Sequence, residues 1–369
     1  MKQEAQKLKN KIKKIKRKVM TNHKENVRIL SFLACLLGFL IFTNQVQSSN
    51  LLTKISVGYD DNVSDRINDA IKSKFLQCYL TSDIDVLPAQ KTLLSLKIQN
   101  GMKFLTAKEF ANESILINNV NTNLSYNLLG LFVPAFSGEV KTRTSIHSKN
   151  DVVPSEESFL RGLLGLSIKT IISKDLSAKA FYNYKATNLE NFDQFDRQTH
   201  ELGIRTDVKL LPNSTVNLQY HRETTKFNKW SEEKSLRNDS SDILTIGLQT
   251  YQNFLLDVNL SYENSKSSID KYSYKDYILS VMLAKAISQN TVFELYSFLR
   301  TNSNVLIIEN ATRIDIEDEE KSIVTAKISR DITDQFVLEA QYELKRNKLI
   351  NKEDIYKKNV ISVSASYKF

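Results

Sequence analysis

From Leu51 to the C-terminus the dominant period of the sequence is two, and no other feature restricts the possible folds as strongly. The last strand-like stretch shows it most clearly. Ile361, Val363, Ala365, Tyr367 and Phe369 alternate with Ser362, Ser364, Ser366 and Lys368. Successive side chains of an extended strand point to opposite faces, so one face here is apolar and the other polar. Phe336, Leu338, Ala340, Tyr342 and Leu344 repeat the scheme against Glu339, Gln341, Glu343 and Lys345. So do Phe254, Leu256, Val258, Leu260 and Tyr262 against Asp257, Asn259, Ser261 and Glu263. Reading the chain in this way gives about sixteen strands, within a range of roughly fourteen to eighteen, most of them long enough to cross a bilayer at a tilt. Strands of a soluble sandwich run shorter, about 5–6 residues. The expected fold is all-β: a transmembrane, antiparallel, up-and-down β-barrel.

Connector lengths give an independent test. Short links at 211–214, 252–253, 288–290 and 333–335 alternate with long polar ones such as 224–241 and 302–321. Membrane barrels have short periplasmic turns and longer external loops, and an even strand count brings both chain ends to the same side. Asn100-Gly101 is a favoured hairpin dipeptide that falls inside the third strand. If it turned, the strand count would change.

The formal charge of +9 invites a nucleic-acid reading, but residues 1–48 carry 11 Lys/Arg against 2 Asp/Glu, which leaves the remaining chain neutral. No nucleic-acid partner is expected. Lys24 and Arg28 precede an uncharged apolar run from Ile29 to Phe42, followed by polar Thr43–Asn50. That is the order of a secretory signal, with Val46 and Ser48 fitting the small positions before a cleavage point. The expected organisation is a basic leader and helical signal peptide over 1–48, with either Met20 as the true start or residues 1–19 as a dispensable basic helix, and a barrel over 49–369 in the outer membrane of a Gram-negative cell. Cys35 lies in the leader, so only Cys78 remains after cleavage and no disulfide forms within the barrel.

The segment Ser56-Val57-Gly58-Tyr59-Asp60-Asp61-Asn62-Val63-Ser64 resembles the first-strand motif of outer-membrane β-barrel porin families associated with exopolysaccharide loci. It resembles less closely the barrel of surface-lipoprotein assembly modifiers. The terminal Phe369 with in-phase Ile361, Val363, Ala365 and Tyr367 is similar to the C-terminal strand that the barrel-assembly machinery reads. These resemblances imply an outer-membrane channel, a part in exopolysaccharide export, and outer-membrane lipid and the assembly machinery as partners.

Phase also assigns the lumen. Lys141, Arg143, Arg161, Lys169, Lys179, Lys185, Arg205 and Lys209 point inward on strands five to eight, against Glu139 and Asp207. Asp83, Asp85, Asp257, Glu263, Glu339 and Glu343 point inward elsewhere. A basic wall facing a more acidic one would concentrate small or anionic solutes, including polysaccharide. The competing reading is that these charges pair with one another and only solvate the lumen. After the leader the histidines are His147, His200 and His221. His221 points inward about opposite Ile204, and His200 has the opposite phase, so no catalytic triad is expected. No phosphate loop, zinc spacing or nucleotide motif appears, and no cofactor or metal is expected. A non-conducting barrel serving as adhesin or scaffold is the alternative, with Trp230 and Phe227 in a long loop as contact points. An outer-membrane enzyme is the minor one.

Overall fold

A computed structural model describes residues 48–62, 72–89, 91–106, 114–146, 158–189, 196–232, 235–301, 322–348 and 355–369. The leader, Met20, Cys35, His147 and the 302–321 connector lie outside the described residues, and β1 begins at Ser48. Sixteen strands follow: β1 (Ser48–Asp60), β2 (Ser73–Ala89), β3 (Thr92–Leu105), β4 (Ser114–Tyr126), β5 (Phe132–Ile146), β6 (Phe159–Ser173), β7 (Leu176–Leu189) and β8 (Arg197–Leu211), then β9 (Ser214–Glu232), β10 (Ser235–Tyr251), β11 (Leu255–Ser267), β12 (Tyr274–Ser288), β13 (Thr291–Arg300), β14 (Ser322–Asp331), β15 (Phe336–Lys348) and β16 (Ile355–Lys368). Each pairs antiparallel with its sequence neighbours, and β1 pairs with β16, so the sheet closes. One 3-10 turn, Asp270–Tyr272, sits between β11 and β12.

The connectors sort by end. At one end lie the brief turns at 127–131, 174–175, 212–213, 252–254, 289–290 and 332–335; the longer links lie at the other, together with the close β9–β10 junction. Both ends of the barrel chain meet at the short-turn end, where the Phe369 amide donates to the Leu51 carbonyl at 2.9 Å. The stretch 224–241 is not a loop as expected. Its residues continue the β9–β10 ladder through Asn238↔Lys226 up to Ser235↔Glu232, because Thr225 and Phe227 keep the inward phase beyond the main ladder. Trp230 accordingly lies in β9, and Phe227 is a buried inward residue rather than a loop contact point. Asn100-Gly101 does not turn either. Gly101 pairs with Tyr79 on β2 and Ile117 on β4, and its missing side chain gives the Tyr79 ring its place.

Burial runs opposite to that of a soluble domain. Leu160, Leu164, Leu166, Ile168, Leu202, Ile204, Leu218, Leu244, Ile246 and Leu260 are exposed on the outer face. Thr199, Glu201, Asn217, His221, Ser241, Glu263 and Ser364 are buried on the inner face. The register places Tyr220, Leu244, Tyr262 and Tyr277 in one row around the outside. Phenols at this end find polar partners: Tyr220 donates to Asp242 at 2.8 Å, Tyr342 to Asn359 at 2.7 Å, and Tyr182 lies 2.8 Å from His200 Nδ1. A hydrocarbon-facing band edged by tyrosines with wet tips is what a bilayer selects. At the other end Tyr126, Phe132, Phe254, Tyr367 and Phe369 are exposed, the last two in edge contact at 4.8 Å.

The first-strand segment acts at the seam. Gly58 leaves room for the Phe75 ring and Tyr59 faces outward. Buried Asp60 forms an ion pair with Lys358 at 2.9 Å and caps the Asn62 amide at 3.0 Å. Asp61 accepts from the Asn359 amide and side chain, both at 2.6 Å, and Asn62 donates to the Lys357 carbonyl at 3.2 Å. Three consecutive residues thus tie β1 to β16 beyond their ladder.

Two outcomes test this arrangement. Asp60→Ala leaves Lys358 buried without its counter-ion and costs on the order of 3 kcal/mol, whereas the double change Asp60→Asn with Lys358→Met costs less than either single loss. Urea unfolding in detergent, followed by heat-modifiable gel migration, reads both. Ile246→Arg on the outer face costs about 2–4 kcal/mol in a bilayer, while Thr245→Arg, one residue away on the inner face, is tolerated. Equal effects would refute the outer band.

Candidate functional site: the lumen wall

Every cation expected on the basic wall sits in the inward phase of β5–β8, because the residues between them, such as Val140, Leu160, Ile168, Ala180 and Ile204, are exposed outside. Neighbouring strands bring several into direct register. Lys141 pairs with Arg161. Lys169 pairs with Lys179, and Lys179 with Arg205. Like charges directly opposite one another destabilise a sheet, so each cation needs a counter-ion, water or solute.

Some have counter-ions. Arg161 pairs with Glu139 at 2.9 Å, Arg205 with Asp207 at 2.7 Å, and Lys185 lies 3.7 Å from Glu201. Lys141 lies over the Phe159 ring at 5.9 Å. Among the described residues, the side chains of Lys169, Lys179 and Lys209 carry no ion pair or hydrogen bond. Lys179 and Arg205 line a recess of about 250 Å³ with Ser137, Ser167, Asn183, Gln219 and the carboxylate of Glu201. Its floor exists because Gly165 leaves the Ser137 and Asn183 side chains their space. The recess thus holds two cations and one carboxylate, with Arg205 already paired to Asp207 and Lys179 left as its unpaired charge.

The acidic side differs from the expected field. Arg300 donates to Glu263 at 3.0 Å and to Asp276 at 2.6 Å, and Tyr274 donates to Glu263 at 2.6 Å. Glu339 is held by Lys54 and lies 3.9 Å from Lys327, which also pairs with Glu294 at 2.5 Å. Glu343 pairs with Lys345 at 3.0 Å, and Asp83 lies 3.4 Å from Lys97. Asp257 accepts from Asn259 at 2.6 Å. Four of the six expected inward carboxylates, Asp83, Glu263, Glu339 and Glu343, are therefore paired with cations. Among the inward charges read from the sequence, Lys169, Lys179 and Lys209 on β6–β8 and Asp85 and Asp257 on the acidic side have no ion pair among the described residues.

Higher in the lumen, Phe75, Leu105 and Ile115 form an inward apolar cluster with Ile117 and Val360, and Lys103 stacks over Phe75 at 4.9 Å. Arg237 lies against the Phe227 and Tyr272 rings at 4.7 and 4.1 Å and pairs with Asp239 at 2.6 Å. Neither arrangement was readable from periodicity, which gives the face of a side chain but not its height or its neighbours across the sheet. His221 is inward and buried as expected, opposite Gly203 rather than Ile204, a one-residue difference in turn register. His200 faces outward between Tyr182 and Tyr184.

No protein-family model matches the sequence, and no curated protein sequence matches it. Among solved structures, CdiB from Acinetobacter baumannii aligns at 11% identity and TM-score 0.48, over 86% of this chain and 60% of that one. This chain thus spans 60% of the length of CdiB. An anion-selective porin from Comamonas acidovorans aligns at 10% identity and TM-score 0.47, over 87% and 99%. The outer-membrane protein OpdK from Pseudomonas aeruginosa aligns at 4% and 0.47, over 88% and 100%. The likeness is one of barrel architecture.

Arg300→Met removes the cation that two buried carboxylates share. It lowers stability by about 3–5 kcal/mol, measured as a drop in the urea midpoint. Arg300→Lys recovers part of it, since an ammonium lacks the fork that reaches both partners.

Proposed function

We propose that this chain is an outer-membrane channel that passes small anionic solutes. The row Lys169–Lys179–Arg205, with Lys179 and Lys169 lacking protein counter-ions among the described residues, supports the reading most directly. Sixteen-strand barrels are wide enough to hold an aqueous path. Fixed positive charge on a low-dielectric wall raises the local concentration of anions and lowers that of cations. Transport is passive: water and charged side chains replace the dielectric barrier of the bilayer. The outer band with its tyrosine edge supports placement in the outer membrane. The C-terminal residues Ile361, Val363, Ala365, Tyr367 and Phe369 serve as the assembly signal in this reading, all lying on the lipid side of β16. A link to exopolysaccharide export rests on the first-strand segment alone, and its residues already have a structural role at the seam.

The test is planar-bilayer conductance of the refolded full chain with reversal potentials in a salt gradient. Discrete steps with anion preference are expected. The double change Lys169→Glu and Lys179→Glu shifts the preference toward cations, and Arg161→Glu, already offset by Glu139, shifts it less. Raising salt weakens the preference as the screening length falls from about 10 Å at 0.1 M to about 3 Å at 1 M. A folded barrel without conductance would overturn the channel and favour the adhesin or scaffold reading.

A further inference from the structure

Two rows above the lysine row, the inner wall brings together groups of another kind. Glu201 on β8 and Glu223 on β9 are directly opposite each other. His221 lies on the same face two residues before Glu223, opposite Gly203. One ligand atom from each of Glu201, His221 and Glu223 lies within 4.8 Å of the others. Glu201 and His221 are buried at 8% and 9% exposure. Two carboxylates facing each other across a strand pair repel unless a cation lies between them.

From this juxtaposition we propose that Glu201, His221 and Glu223 form a divalent transition-metal site on the lumen wall. One imidazole and two carboxylates, without thiolate, suit zinc, cobalt or nickel better than calcium or magnesium, which prefer all-oxygen shells. Three protein ligands leave a fourth position for water, facing the lumen. Bonds of about 2.0–2.2 Å place ligand atoms roughly 3.4 Å apart in a tetrahedral shell. His221 Nε2 and Glu223 Oε1 are already at 3.8 Å, so small side-chain rotations complete the set.

The surroundings support the ligands. Asn183 donates to Glu201 Oε2 at 3.0 Å, which orients that carboxylate. The Gln219 Nε2 lies 3.2 Å from His221 Nδ1. Metal binding requires this amide to turn over, so that its oxygen accepts from Nδ1–H and the His221 Nε2 lone pair is left for the metal. Gly203 gives the imidazole room: a Cβ there would meet the Phe181 ring, His221 Cβ at 2.6 Å and the Tyr220 carbonyl. Lys185, 3.7 Å from Glu201 Oε2, is the cation now nearest that carboxylate and would be displaced by the metal. The channel reading is not needed for this site.

The test uses the full chain refolded in detergent, stripped with EDTA and titrated with Co²⁺, then with Zn²⁺. One equivalent of Co²⁺ should bind with a visible d–d spectrum and be displaced by Zn²⁺. His221→Ala and Glu223→Gln should abolish the spectrum while heat-modifiable migration shows a folded barrel. Asn183→Ala should weaken binding about tenfold, and Lys185→Met should tighten it by removing the competing ammonium. No saturable binding, or binding that His221→Ala and Lys185→Met both leave unchanged, would overturn the site. Conductance plays no part in the readout, so this proposal and the channel can fail separately.

Discussion

Closure is the constraint on which everything else depends. An open sixteen-strand sheet would present two edges of unpaired backbone groups to hydrocarbon, where no water can satisfy them. The β1–β16 ladder removes both edges, and Asp60, Asp61 and Asn62 reinforce it with side-chain bonds to Lys358, Asn359 and the Lys357 carbonyl. Once the sheet is closed, each strand has one face toward lipid and one toward the lumen. The alternation of Leu218, Tyr220 and Arg222 with Asn217, Gln219 and His221 then acquires its meaning. A slip of one residue at the seam would set the lipid-facing residues of one joining strand beside the lumen-facing residues of the other.

Much of this was legible because period two needs no tertiary information. Strand number, inward phase of the cations and the outward C-terminal row follow from counting alternate residues. The limits are equally physical. Phase states which face a side chain occupies but not its height or its neighbours across the lumen. The Arg300–Glu263–Asp276 network joins residues of β11, β12 and β13 that no local pattern links. Glu201 has the inward phase yet gained significance only from its register with Glu223. The β9–β10 extension was hidden because polar residues such as Lys226, Asn238 and Asp239 read as loop, although a ladder outside the membrane can be polar on both faces.

The lumen charges also show why a count of basic residues misleads. Arg161 and Arg205 are nearly cancelled by Glu139 and Asp207, and Glu263 and Glu339 by Arg300, Lys54 and Lys327. What acts on a passing ion is the remainder. Its positive part lies on three strands toward the short-turn end, where Lys169 and Lys179 face one another, and Asp85 and Asp257 add a smaller negative part elsewhere on the wall.

The seam has a consequence for how the molecule is made. Every other strand pair joins neighbours in sequence, but Leu52 meets Lys368 across nearly the whole chain. The first strand is the earliest of the barrel to be synthesised and its partner the last. Until the chain is complete β1 therefore keeps a bare, half-apolar edge that would bond to any extended chain it met. Zipping of consecutive hairpins is local and fast, whereas the final joint carries the largest loop-closure entropy in the fold. Such a chain depends on being kept from aggregation until its end arrives, and the acidic and amide groups after Tyr59 are placed where that last joint must lock.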